Sequence, residues 1–229
     1  MKVRYDFHIH SGLSPCADKD MTPCNIVGFA AVSGLDMVAI ADHNAIGNVK
    51  VAMAVGKAYG VTVVPAFELQ TSEDIHVLCL FRTFEDLERF YATVSFYDVK
   101  NRPEIFGNQY FYDEDDNVVG EEERLLLNGS MISSAEVSAL VKAFDGAAIP
   151  AHIDRDANGI IAILGDVTDE FTAVELSLTA TEAQIAEYSS KYRVIIDSDA
   201  HTLDGISDGR VLELEDNTPS ALIDYLNGK

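Results

Sequence analysis

Short runs rich in β-branched and apolar residues, at 3–7, 37–41, 61–66, 147–151, 173–176 and 193–197, alternate with helix-like segments along most of the chain. This alternation points to βα units with mostly parallel strands, because a parallel partner is reached only through a crossover and a helix is its usual form. Thr22-Pro23 and Thr218-Pro219 each place a capping hydroxyl before a proline in the first helical position, while Gly60 and Gly146 mark helix stops. One interval breaks the pattern. Only a few residues separate Glu68 from the strand-like run 75–81, too few for a parallel crossover. A regular eightfold barrel is therefore not expected, and the run starting near His76 should return beside Glu68.

With 229 residues, 48% of them hydrophobic, the chain can bury a large core, and one domain spanning 1–229 is expected. An insertion is expected at about 98–130, where Tyr110, Phe111 and Tyr112 precede an acidic run and then Val118, Val119 and Gly120. It reads as a hairpin, serving either as a lid or as surface decoration. No apolar run is long enough to span a bilayer and no signal-peptide core follows Met1, so a cytoplasmic protein without a membrane partner is expected. Cys16, Cys24 and Cys79 form an odd set without C-x-x-C spacing, which suggests neither a disulfide framework nor a thiolate zinc site. The 38 acidic and 16 basic residues give a net charge of −22. That excess argues against extended nucleic acid as a partner. It leaves room for a small phosphorylated substrate, since bound cations can invert the local field.

The richest chemistry lies in Asp6-Phe7-His8-Ile9-His10, where alternation at a strand end puts both imidazoles on one face. Two such donors with little freedom to lose can grip a metal ion. His43, His152, Asp199 and His201 also follow apolar runs, Glu68 ends one, and His76 begins one. In parallel α/β folds the loops after the carboxyl ends of strands build one shared site, so these residues should converge. Their placement carries the argument, because packed histidines would fall in mid-strand or mid-helix as often.

Through His8-Ile9-His10, Ala41-Asp42-His43, Glu68, His76, Ala151-His152 and Ser198-Asp199-Ala200-His201 the chain resembles the polymerase and histidinol phosphatase (PHP) domain family over nearly its whole length apart from the insertion. The loop Ser14-Pro15-Cys16-Ala17-Asp18 is similar to that of its compact bacterial members. The resemblance implies an α/β fold built as a distorted seven-stranded (β/α)7 barrel, with an inserted hairpin and a site for two or three divalent ions. His8, His10, Glu68 and Asp199 would hold one ion; Glu68, His76 and His152 a second; and Asp18, His43 and His201 a third, with Asp20 as a rival for Asp18. Oxygen and nitrogen donors suit zinc, manganese or iron.

The implied reaction is hydrolysis of a small phosphomonoester by a metal-activated water, with His201 or His76 assisting the leaving alcohol. Arg155 either grips the phosphate or pairs with Asp154 or Asp156. Asp42 is expected to orient His43 or cap a turn, and Glu175 to hold a ligand histidine or remain a barrel-end polar residue. Three other readings compete. A PHP-type exonuclease or phosphodiesterase would use the same ligands, a non-catalytic module would have lost some of them, and an amidohydrolase-like enzyme would put a lysine where Glu68 stands.

Overall fold

The computed structural model describes residues 1–207 and 209–229. Its strands, in chain order, begin with β1 (Lys2–Ile9), β2 (Met37–Ile40), β3 (Thr62–Val63), β4 (Ala66–Gln70), β5 (His76–Phe81) and β6 (Tyr110–Tyr112). They continue with β7 (Val118–Glu121), β8 (Gly146–Pro150), β9 (Ala173–Ser177), β10 (Arg193–Asp197) and β11 (Arg210–Glu213). The α-helices are α1 (Pro23–Ser33), α2 (Val49–Tyr59), α3 (Phe84–Tyr91), α4 (Pro103–Phe106), α5 (Ser134–Ala143), α6 (Ile160–Leu164), α7 (Glu182–Ser189) and α8 (Pro219–Leu226).

The result is a mixed α/β fold. β1, β2 and β3 pair in parallel and β9 pairs with β10 in parallel, as the alternation predicts. The expectation of a mostly parallel sheet needs correction at β5, which runs antiparallel to both β4 and β8. Its register sets Gln70 opposite His76, because so short a connection can only turn the chain back. Among the described residues the ladders are β11-β1-β2-β3, β10-β9, β4-β5-β8 and β6-β7, rather than one closed barrel. Single bridges, Ile9 to Ala200 and His43 to Glu68, join them beside the candidate ligands. The antiparallel edge strand β11 has no counterpart among the sequence-predicted runs.

Alternate residues from opposed strands fill one apolar interior: Val3, Tyr5, Phe7, Ala66, Leu78, Leu80, Ile149 and Ile195, closed at one end by Leu222, Ile223 and Leu226 of α8. Continuing the same two-residue period leads to Glu68 after Ala66, His76 before Leu78, Glu175 after Ala173 and Asp197 after Ile195, with Asp199 in the loop just beyond β10. The interior column is thus apolar at one end and polar at the other. Helices α1, α2, α3 and α5 cover the outward faces through two further apolar clusters.

Thr22 and Thr218 cap α1 and α8 by accepting from the amides of Asn25 and Ala221, and Gly60 ends α2 in a left-handed conformation. Gly146 instead opens β8, while α5 ends at Ala143. A side chain at Gly146 would press on the carbonyl of Leu80, which explains the glycine by strand packing rather than by a helix stop. Within 98–130, β6 and β7 form the expected hairpin. Tyr112 packs on Gly12 and Phe111 on Gly47, while the Asn48 side chain binds the Tyr110 carbonyl and the Tyr112 amide. The hairpin therefore braces the loops after β1 and β2.

Candidate metal centre

Glu68 sits at the middle of the polar end, fully buried, with imidazoles on several sides. Its Oε1 lies 2.8 Å from His76 Nδ1 and 3.3 Å from both His8 Nε2 and His152 Nε2. Its Oε2 lies 2.7 Å from His43 Nδ1 and 3.6 Å from His10 Nε2. Asp199 Oδ1 adds a second carboxylate, 3.0 Å from His10 Nε2 and 3.5 Å from His8 Nε2. His201 approaches from the solvent side, with its Nδ1 2.8 Å from the Asp199 carbonyl. His152 and Asp199 both adopt left-handed backbone, with φ of 32° and 51°. Such conformations in residues other than glycine concentrate at functional sites, where surrounding structure holds them.

Each deep imidazole is held from behind. His8 Nδ1 meets Glu175 Oε2 at 2.9 Å, so the ring presents Nε2 to the centre. The Ser14 hydroxyl donates to Asp42 Oδ1 at 2.7 Å, and its oxygen then accepts from His10 Nδ1 at 3.0 Å and from the His43 amide at 3.1 Å. A carboxylate can only accept, so the Ser14 proton is committed and Nδ1 of His10 must carry the ring proton. The lone pair of His10 Nε2 then faces Asp199. Asp42 also accepts from the Ser11 amide and hydroxyl, which makes it a brace for the 11–14 loop rather than a direct partner of the His43 ring.

These contacts dominate the local electrostatics. Burial raises the Glu68 carboxyl, but His76, His8 and His43 outweigh it and hold the group well below the usual range. Burial likewise disfavours charge on His43, yet Glu68 drives its pKa up to about 10. His8 is raised well above normal by Glu175, Glu68 and Asp199 against the opposing effect of burial. For His10 burial wins, aided by neighbouring His43, and the pKa falls well below normal. Beneath this layer Asp197 is raised well above normal by burial and by nearby Glu175 and Asp6.

Divalent cations fit this donor set. His8 Nε2, Glu68 Oε2 and His152 Nδ1 are buried without a hydrogen-bond partner, although His43 Nδ1 lies close to Glu68 Oε2. Leaving such polar atoms unsatisfied costs roughly 1–3 kcal/mol each, a penalty that a cation beside His8 Nε2 and Glu68 Oε2 would remove. Three groups of ligand atoms converge: His8, His10 and Glu68; His43, Glu68 and His76; and His10, His43 and His201. The second differs from the set implied by the family resemblance, in that His43 joins Glu68 and His76. His152 faces Glu68 Oε1 with its other nitrogen, Nε2.

Asp18 does not join these groups. Its side chain is exposed and accepts from the Asp20 amide, while its own amide donates to the His201 carbonyl. Asp20 is exposed as well. Arg155 pairs with Asp199 rather than with an adjacent acid, and Asp154 is occupied by the Ser177 amide and hydroxyl. A cavity of about 410 Å³ opens over the cluster, bordered by His76, His201, Arg155, Gln70, Asn158 and Cys16. Leu127 is the insertion's contribution to that wall. Sequence reasoning missed Cys16, Gln70 and Asn158. Ser14 was missed too, since a lone serine in a loop gives no sign of the histidine it fixes. No helix among the described residues is long and apolar enough to cross a membrane.

No family model and no curated protein sequence matches the chain. Solved structures do. The lesion-specific endonuclease Q of Pyrococcus furiosus matches with a TM-score of 0.70 at 20% identity, over 100% of this chain and 56% of that one. Endonuclease Q bound to a 27-mer duplex with an abasic lesion matches with a TM-score of 0.67 at 19% identity, over 100% of this chain and 57% of that one. A two-domain protein of Bacteroides vulgatus containing a PHP-like metal-dependent phosphoesterase matches with a TM-score of 0.59 at 13% identity, over 99% of this chain and 63% of that one. The chain thus spans little more than half the length of endonuclease Q, and at these identities the likeness is one of fold. It corrects one expectation: a protein of this fold holds duplex DNA at its active site, so the −22 net charge is no ground for setting nucleic acid aside. Net charge is a global sum, whereas binding depends on the field at the site.

Proposed function

We propose that the chain is a PHP-type, metal-dependent phosphoesterase that hydrolyses a phosphate ester in the cavity above Glu68. One observation carries this reading: buried imidazoles crowd two carboxylates and leave inward-facing polar atoms without partners. His8, His10, Glu68 and Asp199 would hold one ion, Glu68 with His76 and His152 a second, and His43 and His201 would contribute to a third. When bound, such ions neutralise charge on phosphoryl oxygens and acidify water.

The chain's own groups supply the remaining functions. Glu175 and Ser14 fix the rings of His8 and His10, so that no reorientation is needed when substrate arrives. Arg155, with its guanidinium at the cavity wall beside Asp199, is placed to fork onto phosphate oxygens. His76 and His201 each have Nδ1 engaged, with Glu68 and with the Asp199 carbonyl respectively. Each therefore keeps only Nε2, for an ion or for the proton of a departing oxygen, and not for both. The order of strands and their shared apolar interior suit a distorted seven-stranded barrel.

A cavity of about 410 Å³, at the lower end of the size range of small-molecule sites, would suit a compact phosphomonoester. A second reading, cleavage of a phosphodiester in nucleic acid, draws on the likeness to endonuclease Q. Incubating the metal-loaded chain with a generic phosphomonoester, an intact oligonucleotide duplex and a duplex carrying an abasic site separates the two. Release of phosphate alone supports the monoester, and strand scission supports the diester. Metal-loaded protein inert toward all three would contradict the phosphoesterase reading.

A further inference from the structure

Beyond the ligands considered so far, we infer that Cys16 supplies a thiolate donor to an ion held by His43 and His201, in the position that the sequence assigns to Asp18. This rests on the cluster being a metal centre, and its starting point is a shortage of donors. The nitrogens of His10, His43 and His201 converge. His10, however, has Nδ1 on Ser14 and Nε2 toward Asp199, so it serves the deep ion. Two imidazoles remain, and catalytic sites of this kind ordinarily take three protein ligands.

The loop after β1 offers the third. Ser14 accepts the Ala17 amide in a tight turn with Pro15 and Cys16 at its tip, and the Asp18 amide clips this turn to the His201 carbonyl at 2.8 Å. The clip brings Cys16 to the cavity wall that His43 and His201 also line. Asp18, two residues on, points its carboxylate back at its own loop. The tip is also supported from behind, because Gly107 of the insertion, at φ 100°, lies so close to the Pro15 carbonyl that no side chain would fit there. Neither other cysteine can substitute: Cys79 is buried in the core and Cys24 contacts the Glu114 carbonyl. The absence of C-x-x-C spacing therefore hid a single-thiolate site rather than excluding thiolate ligation.

A sulfur donor has a chemical consequence that an aspartate lacks. Thiolate favours zinc, cobalt or iron over magnesium and manganese, so the third position should select the softer ions. Loading the full chain with cobalt(II) gives the test. Expected is a near-ultraviolet sulfur-to-cobalt charge-transfer band that disappears in Cys16→Ser together with one equivalent of bound metal. Cys16→Asp should restore the equivalent without the band, and Cys24→Ser and Asp18→Asn should leave both unchanged. Cobalt-loaded protein without the band, or Cys16→Ser retaining it, would overturn the assignment to Cys16 while leaving the deep ions intact. Protein that binds no cobalt at all would overturn the metal reading and this inference with it.

Discussion

The floor and the mouth of the candidate centre are built differently. On the floor, His8, His10, Glu68 and Glu175 have no solvent-exposed side-chain surface, and each comes from a strand or the residue just after one. At the mouth, Cys16, Arg155 and His201 come from loops, and the His201 and Arg155 side chains are 31% and 39% exposed. A strand end in a packed apolar interior can hold a donor within a narrow range of positions, whereas a loop needs local clips such as that from Asp18 to the His201 carbonyl. The floor should therefore decide whether ions bind at all, and the mouth should tune what they act on.

The largest effect tests the floor directly. His8→Ala and Asp199→Asn each remove a deep donor, and both bound metal and phosphoesterase turnover should fall by orders of magnitude while the far-ultraviolet circular dichroism is kept. Near wild-type turnover in either variant would reverse the proposed division of labour. A smaller loss should follow when the donor stays and its brace goes. Glu175→Gln and Ser14→Ala should weaken metal affinity by roughly 10–100-fold, as read by competition with a chelating dye. Unchanged affinity in both would mean that ring orientation is set by packing alone. The smallest effect belongs to the mouth. Arg155→Lys keeps the charge but loses the fork, and should lower kcat/KM by about tenfold with metal content unchanged. A matching loss of metal would make Arg155 a support for Asp199 instead.

The same division explains what could be read from the chain. Strand-end ligands were legible because alternation puts His8 and His10 on one face, because Glu68, His152 and Asp199 end or follow apolar runs, and because His76 opens the strand that turns back beside Glu68. The turnback before His76 was legible from its length alone. Gly146 misled, since a glycine required by the Leu80 carbonyl looks, in one dimension, like one that ends a helix. The pairing of His8 with Glu175 joins residues 167 apart, and the role of Ser14 rests on where Asp42 lies across the fold. That Glu175 could hold a ligand histidine was readable, but which histidine it holds and what Ser14 does leave no local signal. At the mouth, choosing between Asp18 and Cys16 requires the turn geometry, and spacing cannot supply it. Net charge misled because it sums a whole surface while an ion site depends on a few ångströms.

The most direct test of the metal centre is a reconstitution titration. The chain is stripped with a chelator, reloaded stepwise with zinc or manganese, and assayed on a phosphomonoester and on the abasic-site duplex at each step, with bound metal measured in parallel. The stripped protein should be inactive on both. Hydrolysis of at least one of them should appear on reloading and saturate only when two or more equivalents are bound, in keeping with donors that converge on either side of Glu68. Equal turnover before and after stripping, or full activity without bound metal, would contradict it.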